Sequence, residues 1–509
     1  MKKAAANTQK RTLFTNAVWN WLGFIVSMAI TFVMCPVLVH GLGDARYGVW
    51  SLIEALVAYI ALLDLGIGAS VVRYIAKFEE VKDQENLNRV FSTTLCIFLG
   101  TGTAAACVSA GMAALWHRPF GVSLELATEA RWLILLLGVN VAIQLVVGVY
   151  SAVLYGLGQF ATKVKIRISM GLVSAALIVA VLSLGGGLVA LASLFTACTL
   201  VQGLITMIAV QRYLPDLRFS PSLVDRETFK IIRGYSALAF VTMMAGRIGY
   251  SSQTVIVGAF LAPQYVTFFV VAGRMTAIVR SGLLSIVSVL TPAISALEAR
   301  GDQDAIRRAF IVGTRYMLWI VLPIEVGLLV YGKPFLSLWL GEQYAQQSYP
   351  TLVILSLPLC LSLPQSLGVR ILYGIGRLKG LAVATVLWAT FGIIFGVILV
   401  THIGLEGVAL GASVSTVIYS LLLAQILCRI LDVNIFNYAR LTMLKPLAAM
   451  PIAWAIWEFG MHLIPPTNWA SLILTGATGT IAYAVIGGLA EFGLDAPSHF
   501  RYFFNASRK

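Results

Sequence analysis

Seven charged side chains stand where charge is expensive. Arg247, Arg274, Arg280 and Arg315, and the acids Glu54, Asp64 and Glu325, all fall within long apolar runs of the chain. A central arginine in a bilayer span costs roughly 2.5–3.5 kcal/mol on insertion scales, so it faces a wet cavity, an anion or an internal acid rather than lipid. A guanidinium presents forked donors that match phosphate oxygens, and its pull on an anion grows in a low-dielectric cavity. The four arginines are therefore read as candidate anion ligands. The competing reading for Arg247 and Arg274 is an internal ion pair, with Glu54 or Glu325 as the acid. Arg315 stands closer to a span end, where snorkelling also places arginine. The acids are read as salt-bridge partners or proton-coupling sites, since burial raises a carboxyl pKa and a nearby arginine lowers it. Asp64, which precedes Leu65-Gly66-Ile67-Gly68, also suits a structural role at a helix irregularity.

The elements that must hold these residues are helical spans. Tyr235–Leu261 and Tyr265–Leu290, joined by the tight link Ala262-Pro263-Gln264, carry three of the arginines. Each exceeds the roughly 20 residues, at about 1.5 Å rise, that cross a bilayer. The chain of 509 residues is 59% hydrophobic and 11% charged, with a mean hydropathy of +0.88. Soluble domains carry about 25% charged residues, so this composition describes a polytopic membrane protein. Fourteen apolar runs are expected, at 13–38, 47–72, 90–115, 131–156, 167–185, 188–210, 235–261, 265–290, 311–332, 350–373, 380–401, 407–430, 446–464 and 469–490. The first is too long for a cleaved signal peptide and reads as a retained span.

The formal charge of +14 does not form a nucleic-acid patch. The basic residues are spread among short loops, 27 of the 36 on one side of the predicted spans and four on the other. That bias places both termini in the cytoplasm. The segment 211–234, with Pro215 and Pro221, reads as a cytoplasmic linker between an N-lobe at 1–210 and a C-lobe at 235–431. Two further spans at 446–490 and a cytoplasmic tail at 491–509 follow. Two strings recur. Leu154-Tyr155-Gly156-Leu157-Gly158 returns as Leu372-Tyr373-Gly374-Ile375-Gly376, and Gly187-Leu188-Val189-Ala190-Leu191-Ala192-Ser193 as Gly407-Val408-Ala409-Leu410-Gly411-Ala412-Ser413. Each pair stands at equivalent span ends, which argues for two six-helix lobes in the same orientation.

Pro358 and Pro364 lie inside one apolar run and are candidate bend positions, because proline removes a helix hydrogen bond. The six cysteines sit in or beside apolar runs without a CxxC, as small core residues do. The five histidines show no ligand spacing, so no metal and no cofactor is expected. Trp19, Trp21, Trp50, Trp116, Trp132, Trp339 and Trp469 fall near span ends, as interfacial anchors do.

Three stretches add a resemblance. Pro36-Val37-Leu38-Val39-His40-Gly41-Leu42-Gly43-Asp44-Ala45-Arg46-Tyr47-Gly48 ends the first span, Leu63-Asp64-Leu65-Gly66-Ile67-Gly68 ends the second, and Leu338-Trp339-Leu340-Gly341-Glu342-Gln343-Tyr344 joins the ninth and tenth. With fourteen spans, this order resembles the polysaccharide-flippase family, the O-antigen and lipid-linked oligosaccharide (Wzx-type) translocases of the multidrug/oligosaccharidyl-lipid/polysaccharide exporter superfamily. The resemblance implies an all-α fold of two six-helix lobes around a central cationic cavity, working by alternating access in the bacterial inner membrane. It implies export of an undecaprenyl-diphosphate-linked glycan for surface polysaccharide biosynthesis, with H+ or Na+ as a coupling ion and a glycan polymerase or export machinery as partners beside membrane lipid. Many relatives carry an aspartate in the seventh span ahead of an Ile-x-Ile/Val-Gly string. Here Gln253 precedes Thr254-Val255-Ile256-Val257-Gly258.

Two other classes are weaker. A multidrug or organic-cation exporter of the same superfamily wants an acidic cavity, against the arginines of spans seven and eight. A membrane polymerase or glycosyltransferase wants a sizeable outer loop, and the outer loops are short, the longest being Gly332–Tyr349. No enzyme is expected.

Overall fold

The computed structural model describes residues 2–64, 67–116, 124–233, 237–288 and 290–492, and these contain helices and connections with no strand. The chain divides into two compact units, 1–267 and 268–509. The first holds α1 (Lys2–Leu42), α2 (Asp44–Ile60), α3 (Ile67–Glu80), α4 (Gln84–Leu115), α5 (Leu124–Gly156), α6 (Phe160–Ser183), α7 (Leu188–Tyr213), α8 (Arg226–Arg233) and α9 (Ala237–Phe260). The division falls in α10 (Pro263–Ser288). The second unit continues with α11 (Leu290–Ala299), α12 (Gln303–Leu340), α13 (Glu342–Gln347), α14 (Tyr349–Ser356), α15 (Leu359–Gly374), α16 (Lys379–Ile430), α17 (Ile435–Leu463) and α18 (Trp469–Phe492).

Ten described helices are long and apolar enough to cross a membrane, or eleven if the bent pair α14 and α15 counts as one span. α9 and α17 stand outside that set although the sequence reading counts both. Arg247, Ser251, Ser252 and Gln253 dilute the first, and Arg440, Lys445, Glu458 and His462 the second. α16 folds back on itself. A straight helix of its 52 residues would run about 78 Å, far beyond a bilayer of about 30 Å. It turns at Ile403 and Gly404, where Gly404 takes φ +64°. Beyond the turn, Gly407 and Gly411 lie against the backbone of Leu399 and Gly396, an approach any side chain would block. The expected outer loop Gly332–Tyr349 is largely helical: α12 runs to Leu340, and α13 fills 342–347. The ninth span expected at 311–332 is longer than that: α12 continues through Lys333 and carries Pro334 within it.

The two units share local designs about 219 residues apart. α2 and α10, α4 and α12, and α6 and α16 begin at that spacing. Asp83 caps α4 by accepting from Asn86 N at 3.1 Å, and Asp302 caps α12 by accepting from Ala305 N at 2.9 Å. The turns before these caps need a left-handed residue, Lys82 at φ 56° and Gly301 at φ 71°. Gly158 and Gly376 close α5 and α15 at φ 69° and 71°. Gln159 N then donates to Leu154 O at 2.8 Å, and Arg377 N to Leu372 O at 3.0 Å. One residue type even meets the same neighbour: a methyl on Gly156 would strike Ile75 of α3, and one on Gly374 would strike Ile294 of α11, each at 2.7 Å.

Each unit has its own core. In the first, Val71, Ile75, Phe91, Phe98, Val149 and Val153 join α3, α4 and α5. In the second, Ile306, Phe310, Leu367, Ile371, Leu427 and Tyr438 join α12, α15, α16 and α17, with the Phe310 and Tyr438 rings stacked at 4.6 Å. A second cluster there gathers Leu322, Val326, Tyr331, Ala453, Trp457 and Tyr483.

The 211–234 segment is stitched to the start of α4 by side chains that satisfy its backbone. Gln84 and Asn88 donate to Asp216 O at 3.1 and 3.3 Å, and Asn88 Oδ1 accepts from Arg218 N at 3.0 Å. Ser92 Oγ accepts from Ser220 N at 3.1 Å, and Thr93 Oγ1 from Asp225 N at 3.2 Å. Asp225 then caps α8 through Thr228 N at 3.0 Å.

Candidate functional site

In the first unit the charged residues gather where α2 meets α9. The two helices run antiparallel, and glycine lets them touch. A methyl on Gly258 would lie 2.7 Å from Leu52 Cδ1, and one on Gly48 would collide with the carbonyl of Pro263 at the end of the connection. Thr267 Oγ1 pins the same end by donating to Asp44 O at 2.6 Å. Toward the other end, Tyr59 Oη and Ser252 Oγ share a hydrogen bond of 2.8 Å. Beside it Gln253 is buried, and its Oε1 has no hydrogen-bond partner.

Beyond Tyr59 the regular helix ends. Residues 61–64 tighten into a 3₁₀ turn that finishes at Asp64, and α3 resumes at Ile67. Asp64 is half-buried and Arg247 of α9 is exposed on the surface of this unit. Arg247 acts electrostatically on Asp64. The acid interacting with Arg247 is thus Asp64. Glu54 lies on α2, exposed, nearer that helix's start.

In the second unit Arg274 and Arg280 lie on α10, both half-buried. Arg280 interacts electrostatically with Tyr419 of α16. Arg315 of α12 reaches α18, with Nε 3.1 Å from Glu491 Oε1, and Trp319 Nε1 donates to that same oxygen at 3.2 Å. An apolar groove of about 440 Å³ runs beside this pair between α12 and α18, lined by Tyr316, Trp319, Pro323, Tyr483 and Gly487. Glu325, on the same helix as Arg315, is only 5% exposed. Its Oε2 makes no hydrogen bond, and its side chain interacts with Cys360. The helix break between α14 and α15 falls at Leu357 and Pro358 with a bend of 44°, and Pro364 continues within α15.

The first unit has an apolar groove of its own, about 490 Å³, between α4, α5 and α7 and lined by Gly102, Ala106, Ala142, Val146, Gly203 and Leu204. Among the described residues no group of three or more His, Cys, Asp or Glu could hold a metal ion.

Sequence reasoning missed Glu491, Cys360, Tyr59 and Ser252. Glu491 sits one residue past the last expected span, where an acid reads as solvated. A serine or tyrosine in an apolar run gives no signal until its partner helix is known.

A family model described as polysaccharide biosynthesis protein matches residues 37–349. The chain is similar to the uncharacterized membrane protein EpsK of Bacillus subtilis (strain 168), 22% identical over 92% of this chain and 93% of that one. It is also similar to a putative O-antigen transporter of Shigella flexneri, 23% identical over 68% of this chain and 80% of that one. Its fold resembles that of the lipid II flippase MurJ in an inward closed conformation, with a TM-score of 0.71 at 16% identity, covering 93% of this chain and 98% of that one.

Proposed function

The chain belongs to the polysaccharide biosynthesis protein family, within the exporter superfamily that includes the Wzx-type flippases, and on that premise we propose that it moves a polyprenyl-diphosphate-linked oligosaccharide across the bacterial inner membrane. One observation carries the reading: arginines stand inside apolar helices, and the family's chemistry supplies an anion for them to hold. A lipid-linked glycan is amphipathic. Its charged diphosphate and sugars need a cationic, wet path, while its tail stays among apolar surfaces such as the grooves of the two units. No covalent bond has to change, so no catalytic group is needed.

In this reading the chain forms two related six-helix lobes with two added helices and both termini in the cytoplasm, fourteen spans in all. The shared caps and turns 219 residues apart support the repeat. Arg247 and Arg274 hold the diphosphate, with Arg280 and Arg315 as further cationic positions. Glu325 is the coupling acid, since a carboxyl buried without a cation is stable only when it carries a proton. The lobes open alternately to the two sides, with span ten bending at Pro358.

Mass analysis of polyprenyl-diphosphate lipids that copurify with the full chain tests this. Wild type is expected to carry them, and Arg247→Gln/Arg274→Gln to lose them while staying folded. Equal amounts in both proteins would remove the arginines from the site. No such lipid in either, with stabilisation by organic cations instead, would overturn the flippase reading in favour of a cation exporter.

A further inference from the structure

The strongest unexplained feature is a register. α2 and α9 are antiparallel, and steps along one are matched by nearly equal steps back along the other. Gly48 meets Pro263, Leu52 meets Gly258, and Tyr59 meets Ser252. Five residues past Tyr59 stands Asp64, and five residues back from Ser252 stands Arg247. The same register therefore brings a carboxylate level with a guanidinium. The two residues do not stand on two regular helices: α2 gives way to a 3₁₀ turn over 61–64, and Asp64 is its last residue.

That placement answers a question the proposed function raises, on which this inference rests. An arginine inside an apolar run needs a counter-charge when no ligand is bound, because an isolated charge there is costly. Yet a site that holds a diphosphate too tightly cannot release it. An internal acid solves both problems by occupying the arginine and being displaced. We infer that Asp64 is the resident counter-anion of Arg247, competing with a diphosphate-bearing ligand for the guanidinium and so setting the affinity of the site.

The cost to affinity follows from population. If the guanidinium is paired with Asp64 for all but about a tenth of the time, the apparent affinity for an incoming anion falls about tenfold.

The probe is farnesyl diphosphate, titrated into the full chain in detergent at fixed ionic strength. Asp64→Asn is expected to bind it about tenfold tighter than wild type, because the competing charge is gone. Arg247→Gln is expected to weaken binding at least about tenfold through loss of the forked donor. The double variant should match Arg247→Gln within about twofold, since the two sites are coupled and their effects do not add. An unchanged or weaker Asp64→Asn overturns the inference. So does an equal gain in the Arg247→Gln background, which would mark a diffuse field rather than a pair. If Asp64→Asn is too unstable to titrate, melting temperatures decide. Removing both charges must then restore what removing one lost, and failure to do so refutes the pairing. Binding that depends on Arg247 without a gain in Asp64→Asn sinks this inference alone, whereas no binding by wild type sinks the flippase reading with it.

Discussion

Arg315 and Glu491 tie α12 to α18, with Nε and Oε1 3.1 Å apart and Trp319 Nε1 donating to the same oxygen. Glu491 is 5% exposed at its side chain and Arg315 20%, so the pair is largely shielded from solvent. Below them the Trp319 and Tyr483 rings meet at 5.1 Å, and Gly487 leaves no room for a side chain against Trp319. α18 is therefore fastened to α12 by one polar clasp and one aromatic contact.

Glu491→Ala should destabilise the chain by about 3 kcal/mol, because it leaves a shielded guanidinium without its acid. Arg315→Met/Glu491→Leu, which removes both charges and keeps the volume, should recover most of that loss. Thermal unfolding of the purified variants in one detergent reads both outcomes. A single variant as stable as wild type would show that the pair holds nothing.

The α2–α9 register makes a steric prediction. Gly48→Ala drives a methyl into the Pro263 carbonyl, a backbone atom that cannot swing away, and should cost about 1–3 kcal/mol. Gly246, also on α9, has nothing within 4 Å of the position its Cβ would take. Gly246→Ala should therefore be neutral or stabilising by up to about 1 kcal/mol through helix propensity. Melting temperatures that fell equally for both would refute the close approach. The same pair of variants separates damage at the helix contact from general intolerance of glycine substitution in this unit.

The segment between α7 and α9 should loosen in acid. Hydrogen bonds from the side chain and backbone of Asn86 hold the Asp83 carboxyl below the usual carboxylate range, and backbone N–H groups of Thr228 and Glu227 do the same for Asp225. A depressed carboxyl contributes stability that is present above its unfolded pKa of about 4 and is lost as pH falls through the lower folded value. Protection factors of the amides across 214–229, which correct for the intrinsic pH dependence of exchange, should therefore be unchanged from pH 7 down to about 5 and fall below about 4. Asp225→Asn should lower the neutral-pH protection factors in α8 toward their acid values. Protection indifferent to acid would mean that the caps do not hold this segment.

Much of the fold was legible in the chain. Runs of apolar residues longer than a bilayer is thick can only be helices, and nearly every expected run begins or ends within a few residues of an observed helix. The repeat was legible only at Leu154-Tyr155-Gly156-Leu157-Gly158 and Gly187-Leu188-Val189 with their counterparts, because the left-handed turns at Gly158 and Gly376 and the close backbone approach at Gly407 demand glycine. It was invisible at Lys82 and Gly301, two unlike residues in the same left-handed turn. The length of α12 was also hidden, since Lys333 and Pro334 look like a loop but the helix carries both.

The charges divide in the same way. That Arg247, Arg315, Asp64 and Glu325 each call for a partner follows from their apolar surroundings in the chain alone, because the cost of a charge in a low-dielectric run does not depend on topology. Which group satisfies which does depend on it. Arg247 interacts with Asp64 rather than Glu54 because α2 and α9 run antiparallel in a register that glycines at 48 and 258 permit. Arg315 takes Glu491, distant in sequence, because α18 packs on α12. Among the described residues Glu325 meets no cation, and it keeps an oxygen without a hydrogen bond. Sequence determines that a buried charge has a price, since that is a property of the residue and its neighbours in the chain. Only the packing of helices decides the partner, since partners meet through crossings that no local pattern encodes.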